Sequence, residues 1–253
     1  QAGTYANLTI DGATISGGKY AVKNDDYGKL DIEDGAFSAE GGAGIILNWN
    51  DTTIKGGDFE ADESSCAIYN GATEDRPYET GTLIITGGIF SLSNWSHVPD
   101  QVIVTASNPG KISISGGTFY GKFDESFCAE GYTLVDSLGM GYEVIRKDLP
   151  AVAQIGDTTY ISLERALAGA QDGDTIKILQ DVTATGILNC WMDTSLTIDL
   201  NGKKVTTADN VTNSEGESVS PVNIVGKLTI KDSSGGGVLE SGSSLQVDGE
   251  NAA

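Results

Sequence analysis

The stretch ISISGGTFYGKF (residues 112–123) alternates isoleucine with serine, turns through a double glycine, and places a phenylalanine two residues further on. Period-two alternation puts Ile112 and Ile114 on one face of a strand and Ser113 and Ser115 on the other. Two inward residues are too few for a strand of an ordinary sandwich, and glycine supplies a corner that a β-branched residue could not turn. The phrase recurs as LDIEDGAFS (30–38), DTTIKGGDF (51–59) and LIITGGIFS (83–91), with an earlier relative LTIDGATISGG (8–18). Taken at Gly12, Gly35, Gly57, Gly88 and Gly117, the intervals are 23, 22, 31 and 29 residues. A short strand, a glycine corner and an interior plug at such a period predict an all-β chain in which each turn adds a rung, a parallel β-helix or β-solenoid. Gly35, Gly57, Gly88 and Gly117 are then corners, and Phe37, Phe59, Phe90 and Phe119 are plugs.

Residues 150–182 depart from this pattern. Leu163, Ala166, Leu167 and Ala170 fall at i, i+3, i+4 and i+7, which predicts one short capping α-helix near 162–171, with Ser162 as its N-cap and Gly173 as its stop. Such a helix covers the apolar first rung and shields a strand edge. TIKIL (175–179) follows as a strand, and the rung pattern resumes in LTIDLNG (196–202), KLTIKDSSGGG (227–237) and LQVDG (245–249). Two segments result: 1–148, late rungs closed by FCAEGYTLVDSLGMGYEVI (127–145), and 149–253, the helix-capped start of a second. Placing the second before the first yields one complete unit. That order is expected of a slice through a tandem array, monomeric within a longer repeat protein.

Composition narrows the function classes. Of 253 residues 34 are glycine and 5 proline without a G-X-Y period, and 39% hydrophobic residues suffice for a core. The net charge of −21, from 36 acidic and 15 basic residues, argues against nucleic acid and anionic membrane surfaces, whose binding needs clustered Lys and Arg. Cys66, Cys128 and Cys190 lie far apart with a single histidine, His97, so they read as buried free thiols rather than a zinc site or disulfide framework. No apolar run approaches the ~18–20 residues of a membrane-spanning helix.

YISLERALAGAQDGDTIKILQDV (160–182) followed by LTIDLNGKKVT (196–206) resembles the opening of pectate-lyase-like right-handed parallel β-helix repeats, found in large secreted and cell-surface proteins of gut Firmicutes. FDESFCAEGYTLVDSLGMGYEVI (123–145) is similar to the segment that closes them. The resemblance implies a right-handed coil and a secreted or cell-wall-attached protein. It implies little about activity, since that superfamily spans lyases, hydrolases, adhesins and inert stalks.

A lyase of this class would need carboxylate-held calcium and a basic residue. Arg146 lies in the closing segment, Arg165 on the capping helix, and Arg76 in the loop TEDRPYE (73–79), none beside an acidic strand cluster. A glycosidase would need carboxylates on neighbouring rungs. Asp25 and Asp26 of KNDDYG (23–28) read instead as a turn. Asp172 and Asp174 flank a helix-stop glycine, so no cofactor is expected, with calcium the one ion left open. Trp49, Trp95 and Trp191 lie in loops beside polar residues, so Trp49 with Asn50, Trp95 with Asn94, and Trp191 are the candidate binding residues. The irregular segments 62–80 and 91–109 are the candidate binding loops. The expectation is a non-catalytic surface adhesin engaging a host glycoprotein or glycan. Alternatives are an immunoglobulin-binding surface protein, a β-helix polysaccharide lyase or glycoside hydrolase, and a passive stalk.

Overall fold

The computed structural model describes residues 6–25, 27–39, 44–62, 66–72, 81–92, 103–105, 111–136, 141–184, 188–190, 194–208, 211–212, 218–219, 222–241 and 246–247. The protein is all-β, with one α-helix and one 3-10 turn among these residues. It divides into two compact units, Gln1–Asp148 and Leu149–Ala253.

The first unit opens with β1 (Asn7–Ile10), β2 (Ala13–Gly17) and β3 (Val22–Asn24), and continues with β4 (Lys29–Ile32), β5 (Gly35–Ala39) and β6 (Gly44–Asn48). Next come β7 (Asp51–Ile54), β8 (Asp58–Ala61) and β9 (Cys66–Asn70), then β10 (Thr82–Ile85), β11 (Ile89–Leu92) and β12 (Ile103–Thr105). β13 (Lys111–Ile114), β14 (Thr118–Phe119), β15 (Tyr132–Asp136) and β16 (Tyr142–Arg146) complete it. After every third strand the chain returns to the sheet it left. The first sheet runs β1-β4-β7-β10-β13, and the third runs β12-β9-β6-β3. The second runs β15-β16-β14-β11-β8-β5-β2; its pairs are parallel from β2 to β14, and β16 pairs antiparallel with both β14 and β15.

Register stacks like on like. Ile10, Ile32, Ile54, Ile85 and Ile114 occupy one row of the first sheet and are all buried. Phe37, Phe59, Phe90 and Phe119 form a row of the second sheet, each at most 2% exposed, with ring centroids 4.7, 4.8 and 4.7 Å apart and planes within 7°. That separation equals the ~4.7–4.9 Å between neighbouring strands, so parallel pairing itself enforces the face-to-face stack. The corners before the rings have no room for a side chain. Gly88 and Gly117 sit at φ 103° and 107°, and a Cβ on either would lie 3.2 Å from the carbonyl oxygen of the preceding corner glycine.

The second unit begins with the hairpin β17 (Ala153–Ile155) and β18 (Thr158–Tyr160), then α1 (Leu163–Gly169). Ser162 caps α1, its hydroxyl accepting from the Arg165 N–H, and Leu163, Ala166 and Leu167 are buried. The helix ends earlier than the sequence predicts. Ala170 is already extended, and Gly173, at φ 87°, instead turns the chain into the next strand, where its N–H donates to Ser195 O. There follow β19 (Thr175–Ile178), β20 (Val182–Ala184), β21 (Leu188–Cys190), β22 (Ser195–Asp199) and β23 (Lys204–Thr207). A short hairpin of β24 (Val211–Thr212) and β25 (Ser218–Val219) precedes β26 (Val222–Ile224), β27 (Lys227–Lys231), β28 (Val238–Ser241) and β29 (Gln246–Val247). Three sheets are again visited in rotation: β18-β17-β19-β22-β27, β20-β23-β28 and β21-β26-β29. The core is aliphatic, built from Leu163, Leu167, Ile176, Ile178, Leu196 and Val205 among others. Cys66, Cys128 and Cys190 form no disulfide; Cys66 and Cys190 are buried, as the sequence predicts, while Cys128 is only half-buried.

Candidate functional site

In the turn that follows β6, the Trp49 N–H donates to Asn24 O at 3.0 Å, tying the turn to the preceding circuit of the chain. The indole is only 6% exposed, with Lys23 Nζ 4.4 Å from its centroid. Trp49 is therefore not the open stacking platform that its polar neighbours suggested, because its turn is packed against the circuit before it. Trp95, Asn94 and Trp191 lie outside the described residues, as do Asp26, Arg76, His97 and most of segments 62–80 and 91–109.

Asn50, the partner expected for Trp49, has a different neighbour. It lines a depression of ≈ 350 Å³ together with Asn7, Tyr27, Gly28, Lys29 and Asp51. Such a volume lies at the small end of the ~300–1,000 Å³ of ligand sites. Its side-chain nitrogen is buried and has no hydrogen-bond partner among the described residues. A buried amide donor without an acceptor is costly, by about 1–3 kcal/mol, unless a ligand or water completes it. The aromatic ring of this site is Tyr27, 75% exposed and held at φ 65°, a left-handed conformation that non-glycine residues adopt rarely and mostly at special positions. Asn7, Lys29 and Asp51 are aligned in register on β1, β4 and β7, so one amide, one cation and one carboxylate share a row. Lys29 Nζ also contacts Asp31 Oδ2 at 2.9 Å.

A buried asparagine ladder holds the Asn50–Asp51 side of the depression. Asn24 Nδ2 donates to Asn48 Oδ1 at 3.0 Å and to Asp51 O at 2.9 Å, and Asn48 Nδ2 donates to Asn70 Oδ1 at 2.7 Å. Asn48 Oδ1 also accepts from Asn50 N at 3.2 Å and from Thr52 Oγ1 at 2.8 Å. On the Tyr27–Gly28 side, Gly28 N–H donates to Asp25 O, and the absence of a side chain at Gly28 leaves room for the Asn24 amide. Sequence reasoning passed over this ladder. Its signal was Asn recurring after 24 and then 22 residues, close to the rung period.

A second concavity, ≈ 520 Å³, runs across the second sheet over the bare backbone of Gly57, Gly87, Gly88 and Gly117. Asp58, Ile89, Thr118 and Glu143 border it in register, and Ile89 is 44% exposed. Asp58 and Glu143 stand on strands three spacings apart, about 14 Å, whereas paired glycosidase carboxylates are ~5–9.5 Å apart. This pair cannot share an acid–base step.

The remaining sequence candidates are engaged in structural bonds. Arg146 forms a two-pronged pair with Asp148 at 2.6 and 2.8 Å in solvent, which holds the Asp148 carboxyl below its ordinary value. Asp25 pairs with Lys23 at 2.8 Å. Asp172 accepts from Ser195 N at 2.8 Å and Asp174 from Gln171 N at 2.7 Å, so both carboxylates hold backbone turns. No group of three His, Cys, Asp or Glu able to hold a metal ion occurs among the described residues. Comparison of the chain with known protein families, curated proteins and solved structures returns no match.

Proposed function

We propose that this protein is a non-catalytic binding module of a secreted or wall-attached bacterial surface protein, built as right-handed parallel β-helix repeats, with the Tyr27–Asn50 depression as its contact for a glycan or the glycan of a host glycoprotein. The reading of the fold is supported by the rotation of the chain through three sheets and by the stacked Ile, Phe and Asn rows. The reading of the function rests on one observation: a buried, unsatisfied Asn50 donor beside an exposed Tyr27 ring. A sugar offers an apolar ring face to lie on the phenol, and binding turns the Asn50 amide, closed off from solvent in the free protein, toward a hydroxyl oxygen. Lys29 and Asp51 add a cation and an acceptor at the rim. The test is a glycan array followed by calorimetry on the best hit. Tyr27→Ala and Asn50→Ala should each weaken binding at least tenfold, whereas retention of full affinity by both variants would remove this site from the proposal.

One observation favours a protein partner as a second reading. The second concavity exposes Ile89 at 44%, so an apolar contact is available beside its glycine floor. An immunoglobulin or another host protein bound there would lose affinity on Ile89→Asp and be indifferent to Tyr27→Ala.

A further inference from the structure

Asp58, Ile89, Thr118 and Glu143 form one row across the second sheet, paired in register from β8 to β11, β14 and β16. Phe59, Phe90 and Phe119, the next residues in the chain, are buried in the core, so alternation turns Asp58, Ile89 and Thr118 outward. Glu143, directly opposite Thr118, shares their face. The row therefore has a carboxylate at each end, about 14 Å apart, with the half-exposed Ile89 and the Thr118 hydroxyl between them at successive strand spacings.

Beside this row lies the ≈ 520 Å³ concavity floored by Gly57, Gly87, Gly88 and Gly117. The floor is bare because neighbouring circuits leave no room on it: a Cβ on Gly87 would strike Lys55 O, and one on Gly116 would strike Thr86 O. The hollow is thus preformed by the packing of the strands. Its described lining holds two carboxylates and no cation.

We propose that this concavity docks an extended basic segment of a partner protein, with the pattern cation–x–apolar–x–cation. The match is one of length, face and charge. An extended chain advances about 3.3 Å per residue, so residues i and i+4 stand about 13 Å apart, and two lysine or arginine side chains cover the small remainder to Asp58 and Glu143. Residues i, i+2 and i+4 share one face of such a segment. With its cations at the two carboxylates, residue i+2 therefore lies over Ile89 and Thr118, where an apolar side chain covers the exposed isoleucine. On a helix the same two cations stand only about 5–6 Å apart, so a helical segment of this pattern reaches one carboxylate and misses the other. The net charge of −21 draws a basic segment toward the chain before contact. This inference rests on the reading of the concavity as a protein contact and is independent of the Tyr27–Asn50 depression.

The test is fluorescence anisotropy of labelled, end-blocked peptides titrated with the intact chain at low salt. The peptide Gly-Lys-Thr-Val-Thr-Lys-Gly should bind saturably, and its counterpart with both lysines replaced by serine should bind about threefold to tenfold more weakly, the loss of two exposed ion pairs. Moving the second lysine from i+4 to i+3 turns it to the opposite face and should weaken binding as much as removing it. Ile89→Ser should weaken the lysine peptide, and Tyr27→Ala should leave it unchanged. Asp58→Lys combined with Glu143→Lys should reverse the preference, so that Gly-Glu-Thr-Val-Thr-Glu-Gly binds and the lysine peptide does not. Asp58→Lys alone, at an exposed position, should shift the preference to a peptide with one lysine and one glutamate, and it serves if the double variant melts early. Absence of saturable binding by every peptide overturns the protein contact itself. Equal binding of the lysine and serine peptides, or of the two lysine spacings, leaves a contact but overturns the basic segment, as does a preference unmoved by charge reversal in a folded variant.

Discussion

The two units hold their circuits together from opposite sides. In the first, neighbouring circuits are joined from within, by four stacked phenylalanines and by the Asn24–Asn48–Asn70 ladder. In the second, the interior is aliphatic, and acidic side chains hold one circuit to the next from the turns. Asp172 accepts from Ser195 N, Asp181 from Lys204 N, Asp199 from Ser233 N and Asp232 from Gly202 N, at 2.7–2.9 Å. Stacked rings and amides carry no titratable group, whereas carboxylates do. The two units therefore share a strand plan while differing in what removes their stability.

The interior stack is the place to make the largest difference. Phe90→Ala takes a ring from the middle of the row, where neither neighbour can move along the axis to fill the gap. It should cost the first unit about 3–5 kcal/mol. Hydrogen exchange followed by mass spectrometry should show faster exchange throughout 6–148 and no change in 149–241. Equal acceleration in both units would mean that they unfold as one and that the contrast is not energetic.

The ladder comes next. Asn48→Ala removes the middle amide of the ladder, so Asn24 Nδ2 keeps only Asp51 O and Thr52 Oγ1 and Asn70 Oδ1 loses the Asn48 donor, at a cost of about 1–3 kcal/mol. It should also release Asn50 N–H and the Thr52 hydroxyl, which both donate to Asn48 Oδ1, so ligand binding at the depression should fall along with the melting temperature. A variant that melts earlier but binds normally would separate the ladder from the site.

The smallest effect is acidic: the lowered carboxyls of the first unit, Asp124 and Asp148, bond only to residues two positions away, whereas those of the second unit hold one circuit to the next. Burial pushes the Asp199 carboxyl up, but donation from Ser233 and Asn201 and the charge of Lys231 outweigh it, leaving a net lowering. The N–H groups of Gly237 and Gly202 lower Asp232. A carboxyl lowered in the folded state contributes stability that is fully present above its unfolded pKa, about 3.9, and is lost as pH falls through the folded value. Between pH 7 and pH 5 the second unit should therefore be unchanged, and below about pH 4 it should loosen first. Digestion by an acid-active protease should cut within 149–253 before 1–148, and Asp232→Asn should flatten that acid dependence. Earlier cleavage of the first unit would reverse the assignment.

Much of the plan is legible in the residues themselves. Alternation in ISIS and TIKIL marks strands, and the Leu163–Ala166–Leu167 spacing after Ser162 marks a helix, because these patterns follow from backbone geometry within a few residues. The site was less legible. Asn50 stood out beside a tryptophan, but the ring that accompanies it in space is Tyr27, 23 positions earlier, in a turn that read as no more than polar.

Local pattern was enough for the all-β class and for the strand and helix types, since inward and outward positions alternate with the backbone whatever lies beyond. Which aromatic ring is covered and which is open was settled only by the stacking of circuits. Trp49 and Tyr27 both sit in turns next to polar residues, yet Trp49 is buried, its turn tied to the circuit before it, while Tyr27 is exposed. The asparagines behave in the same way. Each is an ordinary turn residue in sequence, and only parallel register brings Asn24, Asn48 and Asn70 within hydrogen-bonding distance, where an amide that would otherwise face water becomes an internal support for the site.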